Sequence, residues 1–456
     1  MKKIDLVRFV IILITVFLLF EAMPVHFFAD NYQYLNLARY YSQKPLEIFY
    51  LYPNSAIRHL HPAVEFRPFQ RLYWAICYKF SGLDPIFYNV VQGIFFLVLV
   101  ISAYNITYLF TSNKTASFLS VLFFLLHPPT YKLVHWLGIA TLFNLSLMAL
   151  SLYFLFRGIK DNSSRYIFAG VVTALPAFLA KVVPVFLIPL LFFLFFLFHK
   201  NEYGKAKKKF ALSMFWIIVI AVPIALCHAI SLINLKAMGH YMVFELFSPR
   251  IGNILTNVYN YRDIFYNDSF PVLFFICLCL FLFRFKKASL FCLLWIVLQI
   301  GVFLPIKCVS SKYFIEASLP ISIFLGVTIS SYIKQKMRKS DWIFAILLCL
   351  GILFSFNKFY SNIKAIQHTF DLAKTSYADK TREMVRLKAL PKNATIYVDK
   401  GSPRVFYNLT FCLIDRRDVK IEFVDNKDTV DPSLFFESDT VIKNEQITDK
   451  TGNWRF

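Results

Sequence analysis

His26-Phe27-Phe28-Ala29-Asp30-Asn31 opens a polar stretch, residues 24–85, which also carries Glu65-Phe66-Arg67-Pro68-Phe69-Gln70-Arg71. It separates two apolar runs, 6–23 and 86–110. Each run is close to the ~20 apolar residues that a helix needs to cross a bilayer. The stretch is too long for a simple connector. Leu35, Leu37, Ala38, Tyr40 and Tyr41 fit a short helix on the membrane surface. A second such helix fits 67–80, with Leu72, Ala75, Ile76 and Lys79 at helical spacing.

The rest of the chain repeats the membrane pattern. Of 456 residues, 58% are hydrophobic and 17% charged, with mean hydropathy +0.56, a balance foreign to soluble domains. The 53 Phe and 25 Tyr suit lipid-facing and interfacial surfaces. Net charge is +22, from 49 basic and 27 acidic residues. Much of the basic excess lies in short loops between apolar runs, so it points to anionic lipid headgroups and membrane orientation, not to nucleic acid. Eight scattered cysteines, Cys277 and Cys279 among them in one apolar run, make neither a zinc pattern nor a disulfide framework. Met1-Lys2-Lys3 and the apolar run that follows resemble a signal peptide, but Glu21-Ala22-Met23-Pro24 lacks a small-x-small cleavage site, which predicts an uncleaved anchor.

Further apolar runs cover 116–126, 137–156, 166–179, 182–198, 210–233, 270–283, 288–305, 313–333 and 342–356, predicting about eleven spans. With the N-terminus inside, the cytoplasmic turns hold Lys114; Arg157, Lys160 and Arg165; Lys200 and Lys205 to Lys209; Arg284 to Lys287; and Lys334 to Lys339. This alternation predicts an N-in, C-out topology. A second long outward loop is expected over 234–269. Residues 1–356 then form the membrane domain and 357–456 an extracytoplasmic domain, α/β or mostly β, led by a helix. Strands are expected there at 394–398, 405–412 and 419–424.

Several short motifs stand in a fixed order. Phe66-Arg67-Pro68-Phe69 precedes Leu83-Asp84-Pro85-Ile86-Phe87-Tyr88-Asn89. Leu126-His127-Pro128 is followed by Val134-His135-Trp136, then by Leu179-Ala180-Lys181, and last by Ser311-Lys312-Tyr313-Phe314 with Ser318-Leu319-Pro320. Together these resemble the membrane domain of the transmembrane-and-TPR O-mannosyltransferase family and its bacterial relatives. That family belongs to the GT-C fold of polyprenyl-phosphate-sugar glycosyltransferases. The chain departs from the pattern at Asn31, where a second acid is usual, at Val182, where Glu is usual, and at Lys312, where Arg is usual; no TPR repeat follows.

The resemblance implies a multi-pass enzyme of the cell membrane. It would transfer a sugar from a polyprenyl-phosphate donor to a protein, lipid or glycan acceptor at the outer face, with inversion. The leaving group is already a phosphate, so one base and several cations suffice. Asp30 stands where such enzymes keep the catalytic carboxylate, and Arg67, Lys181 and Lys312 are the donor-phosphate candidates. Glu65, His127 and His135 are further substrate-site candidates. No resident metal is indicated, and a divalent ion stays open.

Each residue also has a plainer reading. Asp30 could cap a helix, Arg67 could anchor to lipid or pair with Glu65, Lys181 and Lys312 could snorkel, and the histidines could be packed polar groups. Two other functions compete with transfer. A lipid or polysaccharide transporter would favour internal repeats and midplane charges. A catalytically inactive partner of a glycan-assembly complex would tolerate Asn31 and Val182.

Overall fold

The computed structural model describes residues 6–22, 31–51, 66–82, 84–135, 138, 140–199, 201, 206–237, 251–268, 271–283, 287–304, 314–333, 350–353, 357, 360–361, 395–399, 420–424 and 435–436. An apolar helix, α1 (Leu6–Ala22), is followed by two shorter, more polar ones, α2 (Asn31–Gln43) and α3 (Pro68–Ser81), with a 3-10 turn at Pro45–Phe49 between them. α2 and α3 pack on each other and bury Leu37, Tyr41, Ile48 and Ala75. Helices therefore stand at both places in the opening stretch where one was expected; Asp30 and Glu65 lie outside the described residues.

The bundle proper comprises α4 (Pro85–Thr111), α5 (Lys114–Leu126), α6 (Pro128–His135), α7 (Ala140–Lys160), α8 (Ser164–Ala180), α9 (Val183–His199) and α10 (Lys207–Ala237). It continues through α11 (Ile251–Asp268), α12 (Pro271–Phe283), α13 (Lys287–Gly301), a 3-10 turn at Ile315–Ala317 and α14 (Ser318–Ile333). Pro68 and Pro85 stand in first turns, where the missing amide costs nothing. Asp84 caps α4 by accepting from the Ile86 amide at 2.9 Å, and Asn113 caps α5 through Thr115 at 3.0 Å.

Ten of the eleven expected spans coincide with α1, α4, α5, α7 to α10 and α12 to α14; of 342–356 only 350–353 are described, as helix. Among the described residues, four helices are long and apolar enough to cross a bilayer: Pro85–Thr111, Ala140–Lys160, Lys207–Ser231 and Ile315–Tyr332. One expectation is corrected. The supposed loop 234–269 holds the end of α10 and all of α11. The face that α11 packs carries Asn257 and Tyr261, with Ile264 and Phe265 half-buried, while Leu255 and Val258 are exposed, so no continuous apolar stripe marks the helix in the sequence. Tyr261 is buried, and the Phe265 ring meets Phe274 and Phe314.

α7 is the axis. It packs on α8, α4 and α9, and its side chains are buried almost throughout. α10 instead leaves Leu212, Phe215, Val219, Val222 and Leu226 exposed, as a lipid-facing surface does. In lipid, apolar contact alone drives helices together weakly, so close approach of small residues matters. α14 meets α5 at Ala116, Ser117, Ser120 and Gly326, and the Ser120 hydroxyl points at Ile323 O, 3.5 Å away.

Three short strands lie beyond the bundle: β1 (Thr395–Asp399), β2 (Lys420–Val424) and β3 (Phe435–Phe436). Their order is β2-β1-β3, all parallel, with Thr395 opposite Lys420 and Tyr397 opposite Phe435. Parallel neighbours need crossover connections, not hairpins. The first and third expected strands are thus found; 405–412 lies outside the described residues.

The α5–α14 contact is directly testable. A Cβ on Gly326 would stand 2.5 Å from the Ser120 amide nitrogen and 2.8 Å from Ala116 O, both backbone atoms that cannot rotate aside. Gly326→Ala is expected to cost about 1–3 kcal/mol, as overpacking does. Thermal unfolding of the purified protein in detergent reads this, and a second change, Ser120→Ala, should not restore the melting temperature.

Candidate functional site

The two ends of the bundle differ chemically. At one end the short turns are basic. Lys160 Nζ donates to Leu109 O at 3.0 Å, Lys209 Nζ donates to Asn162 O, and Asn113 Nδ2 donates to the Ser330 hydroxyl. These bonds gather the α4–α5 and α7–α8 turns and the end of α14. α8 runs from this end to Lys181, and α14 runs back to it from Ser318, so Lys181 and Glu316 lie at the opposite end.

Lys181 stands where α8 stops. Its backbone is extended (φ −162, ψ 157), and Pro184 sits in the first turn of α9. The ammonium pairs with Glu316 of the 3-10 turn before α14. The Lys181 side chain is 12% exposed and that of Glu316 0%. The second Glu316 oxygen accepts from Gln299 Nε2 at 2.8 Å, and Gln299 Oε1 accepts from Trp295 Nε1 at 3.3 Å. The Phe303 ring lies 5.3 Å from the ammonium. A dry carboxylate is tolerable only when both oxygens are satisfied, and here both are.

Arg67 approaches the same end from α3. It is the N-cap residue of α3 and is half-buried. Phe66, beside it, is buried against the His228 ring, with centroids 5.3 Å apart. His228 Nε2 is 3.0 Å from Phe178 O, in the last turn of α8. Two contacts therefore connect the Arg67 segment to the helix end that carries Lys181. Arg71, one turn on, has a different task. Its Nη1 donates to Ile48 O and Tyr50 O, both at 3.0 Å, and its guanidinium lies over the Tyr41 ring. Burial pulls the Arg71 pKa down, Tyr41 opposes this, and the charge on Arg67 lowers it further.

The segment before α7 is clamped from two sides. Gln92 Nε2 donates to Leu133 O at 3.2 Å and Val134 O at 2.7 Å, and Gln92 Oε1 accepts from the Gly138 amide at 2.6 Å. Gln70 Nε2 donates to Gly138 O at 2.8 Å. Gly138 has φ +66, and a Cβ there would enter the Trp74 ring, so only glycine fits.

The sequence-derived residues fare unevenly. Arg67 and Lys181 come to one end of the bundle. His127 lies there too, fully buried at the α5–α6 junction with its ring 6.4 Å from that of Phe314. His135 ends α6, its side chain outside the description; Asp30, Glu65 and Lys312 are outside the described residues. Loss of Lys181 would strand the buried Glu316 carboxylate, at about 3–5 kcal/mol.

Glu316, Gln299 and Asn144 were missed. Asn144 is fully buried near the start of α7, and neither polar atom of its side-chain amide has a partner among the described residues. The signal for Glu316 was present, since it falls inside the expected span 313–333 and an acid within a span is a functional candidate by default. Among the described residues, no three His, Cys, Asp or Glu side chains converge as metal ligands. Glu47 is engaged by Tyr40 and Lys44.

No protein-family model and no curated protein sequence matches this chain. Solved structures do. ArnT from Cupriavidus metallidurans in the apo state matches with TM-score 0.59 and 14% identity, over 92% of this chain and 85% of that one. The same protein bound to undecaprenyl phosphate matches with TM-score 0.59 and 14% identity, over 94% and 89%. At this identity the likeness is one of fold: a largely helical, polytopic, GT-C-like membrane protein.

Proposed function

We propose that the chain is an integral membrane glycosyltransferase. It moves a sugar from a polyprenyl-phosphate donor to a hydroxyl of a protein, lipid or glycan acceptor, at the outer membrane face and with inversion. The observation that carries this reading is a largely buried cation, Lys181, at the end opposite the basic turns of a fold shared with a protein solved with undecaprenyl phosphate. Function does not follow from fold alone, so the residues must bear the argument.

In this reading the acceptor oxygen attacks the anomeric carbon. Asp30 takes the hydroxyl proton, and the bond from the anomeric carbon to the phosphate oxygen breaks. Polyprenyl phosphate leaves with the bonding electrons. Arg67, Lys181 and Lys312 offset its charge in a water-poor setting, where such contacts are strong. Glu65, His127 and His135 are assigned to the surrounding substrate pocket. The N-terminus is cytoplasmic and the segment 357–456 is an extracytoplasmic domain. An inactive partner of a glycan-assembly complex is the second reading. It is favoured by Lys181 already being answered by Glu316 within the chain, and by Asn31 in place of a second acid.

Orientation is checked with single cysteines at Lys2 and Asn426, in a variant stripped of its native cysteines, labelled from outside intact cells. Labelling at Asn426 alone is expected; labelling at Lys2 alone would move Asp30 to the wrong side.

For the phosphate contacts, Arg67→Ala and the double change Lys181→Met with Glu316→Gln avoid leaving a lone buried charge. Both should weaken donor binding by about tenfold or more, as loss of a charge-assisted contact does. Unchanged affinity in both, measured by titration of the purified protein with a polyprenyl-phosphate sugar, would reject the assignment.

Asp30→Asn keeps shape and removes the base. Turnover should fall by about a hundredfold to ten-thousandfold with donor binding retained. Near-normal turnover of a folded variant would sink the base assignment, and no turnover by the wild type on a donor panel with its true acceptor would favour the inactive partner.

A further inference from the structure

We propose that Glu316 is a positioning residue for Lys181 and that Gln299 holds Glu316 in place. The proposal rests on the reading of Lys181 as a phosphate-binding cation and says how that cation is placed. A lysine ammonium rides on a flexible four-carbon stem with many rotamers. Catalytic and binding groups have to sit within a fraction of an ångström of one place. Nothing in the end of α8 supplies that by itself, because Lys181 already has extended backbone beyond the helix.

Glu316 supplies it from elsewhere. One carboxylate oxygen takes the Lys181 ammonium and the other takes Gln299 Nε2 at 2.8 Å, so the plane of the carboxylate is set from two sides. Trp295 Nε1, 3.3 Å from Gln299 Oε1, orients the glutamine amide in turn. The backbone under Glu316 is also held. Ser318 Oγ donates to Ile315 O at 2.6 Å and Ser322 Oγ donates to Ser318 O at 2.8 Å. α6, α7 and α13 all pack against this 3-10 turn. Three helices thus pack on the turn whose glutamate holds the lysine.

Stability alone is a poor explanation for the arrangement. A dry ion pair often adds nothing over apolar residues of the same volume, because desolvation offsets the attraction. A dry pair that aims a single ammonium at the end of a bundle has a positional use.

The test reads the amine itself. Full-length protein in lipid nanodiscs is treated with formaldehyde and cyanoborohydride, and methylation at each lysine is timed by mass spectrometry. Lys160, tied to Leu109 O at the far end of the bundle, is the internal control. Glu316→Gln should raise the Lys181 rate by about tenfold or more, as loss of a charged hydrogen bond predicts. Gln299→Met, which leaves the ion pair in place, should give a smaller rise, and Lys160 should not change in either. If Glu316→Gln loosens the whole fold, Lys160 rises too and Gln299→Met carries the test.

An unchanged Lys181 rate in both variants, or a rise matched by Lys160 in both, would overturn the positioning role. A second arm adds undecaprenyl phosphate. It should slow Lys181 methylation in the wild type, and more lipid should be needed in Gln299→Met. No protection in the wild type would overturn the phosphate assignment itself, an outcome separable from failure of the Glu316 contact because the first arm needs no ligand.

Discussion

A bilayer offers no hydrogen bonds, so every polar group that enters it must be answered from within the chain. The backbone answers by forming helices. The hydroxyls answer by folding back onto them: Thr15 donates to Ile11 O at 2.8 Å, Thr107 to Ala103 O at 2.9 Å and Ser120 to Ala116 O at 2.9 Å. This constraint also decides where irregular backbone can occur. Among the described residues of the bundle, irregular backbone stands at helix ends and in turns covered by other elements, such as the buried turn at Ile315–Ala317 and the glutamine-clamped Gly138.

The candidate site grows out of those breaks. α8 ends at Lys181, α14 begins after Glu316, α6 ends before Gly138 and α3 begins after Arg67, all toward one end of the bundle. Side chains bridge the breaks and return what the backbone has lost. Gln92 and Gln70 hold the Gly138 segment, and His228 reaches Phe178 O. The basic turns at the other end, by contrast, are stitched by lysines whose charge remains near water. One end therefore keeps its charges near water and the other holds charge in a dry setting.

Much of this was legible in the chain. The apolar runs located ten helices to within a few residues, because a length of apolar residues is a one-dimensional property. The two surface helices of the opening stretch were legible from spacing, and so were the strands at Thr395–Asp399 and Lys420–Val424. α11 was not, since the face it packs mixes Asn257 with Tyr261 and Phe265, and only in the fold does Asn257 find Leu304 O and do the two rings meet Phe314. Arg67 and Lys181 were picked out through the motifs that carry the family resemblance, but their environment was not legible.

Composition, apolar periodicity and the placement of Lys and Arg by themselves determined a polytopic helical membrane protein with a long polar stretch after its first helix. These depend only on residue type and order along the chain. The tertiary structure alone decided which acid answers Lys181. Val182 stands next to it in sequence, yet the partner is Glu316, 135 residues away, steadied by Gln299 from a third helix. No local pattern encodes that choice. It arises because α8, α13 and α14 end at the same level in a medium that leaves a buried charge no other partner.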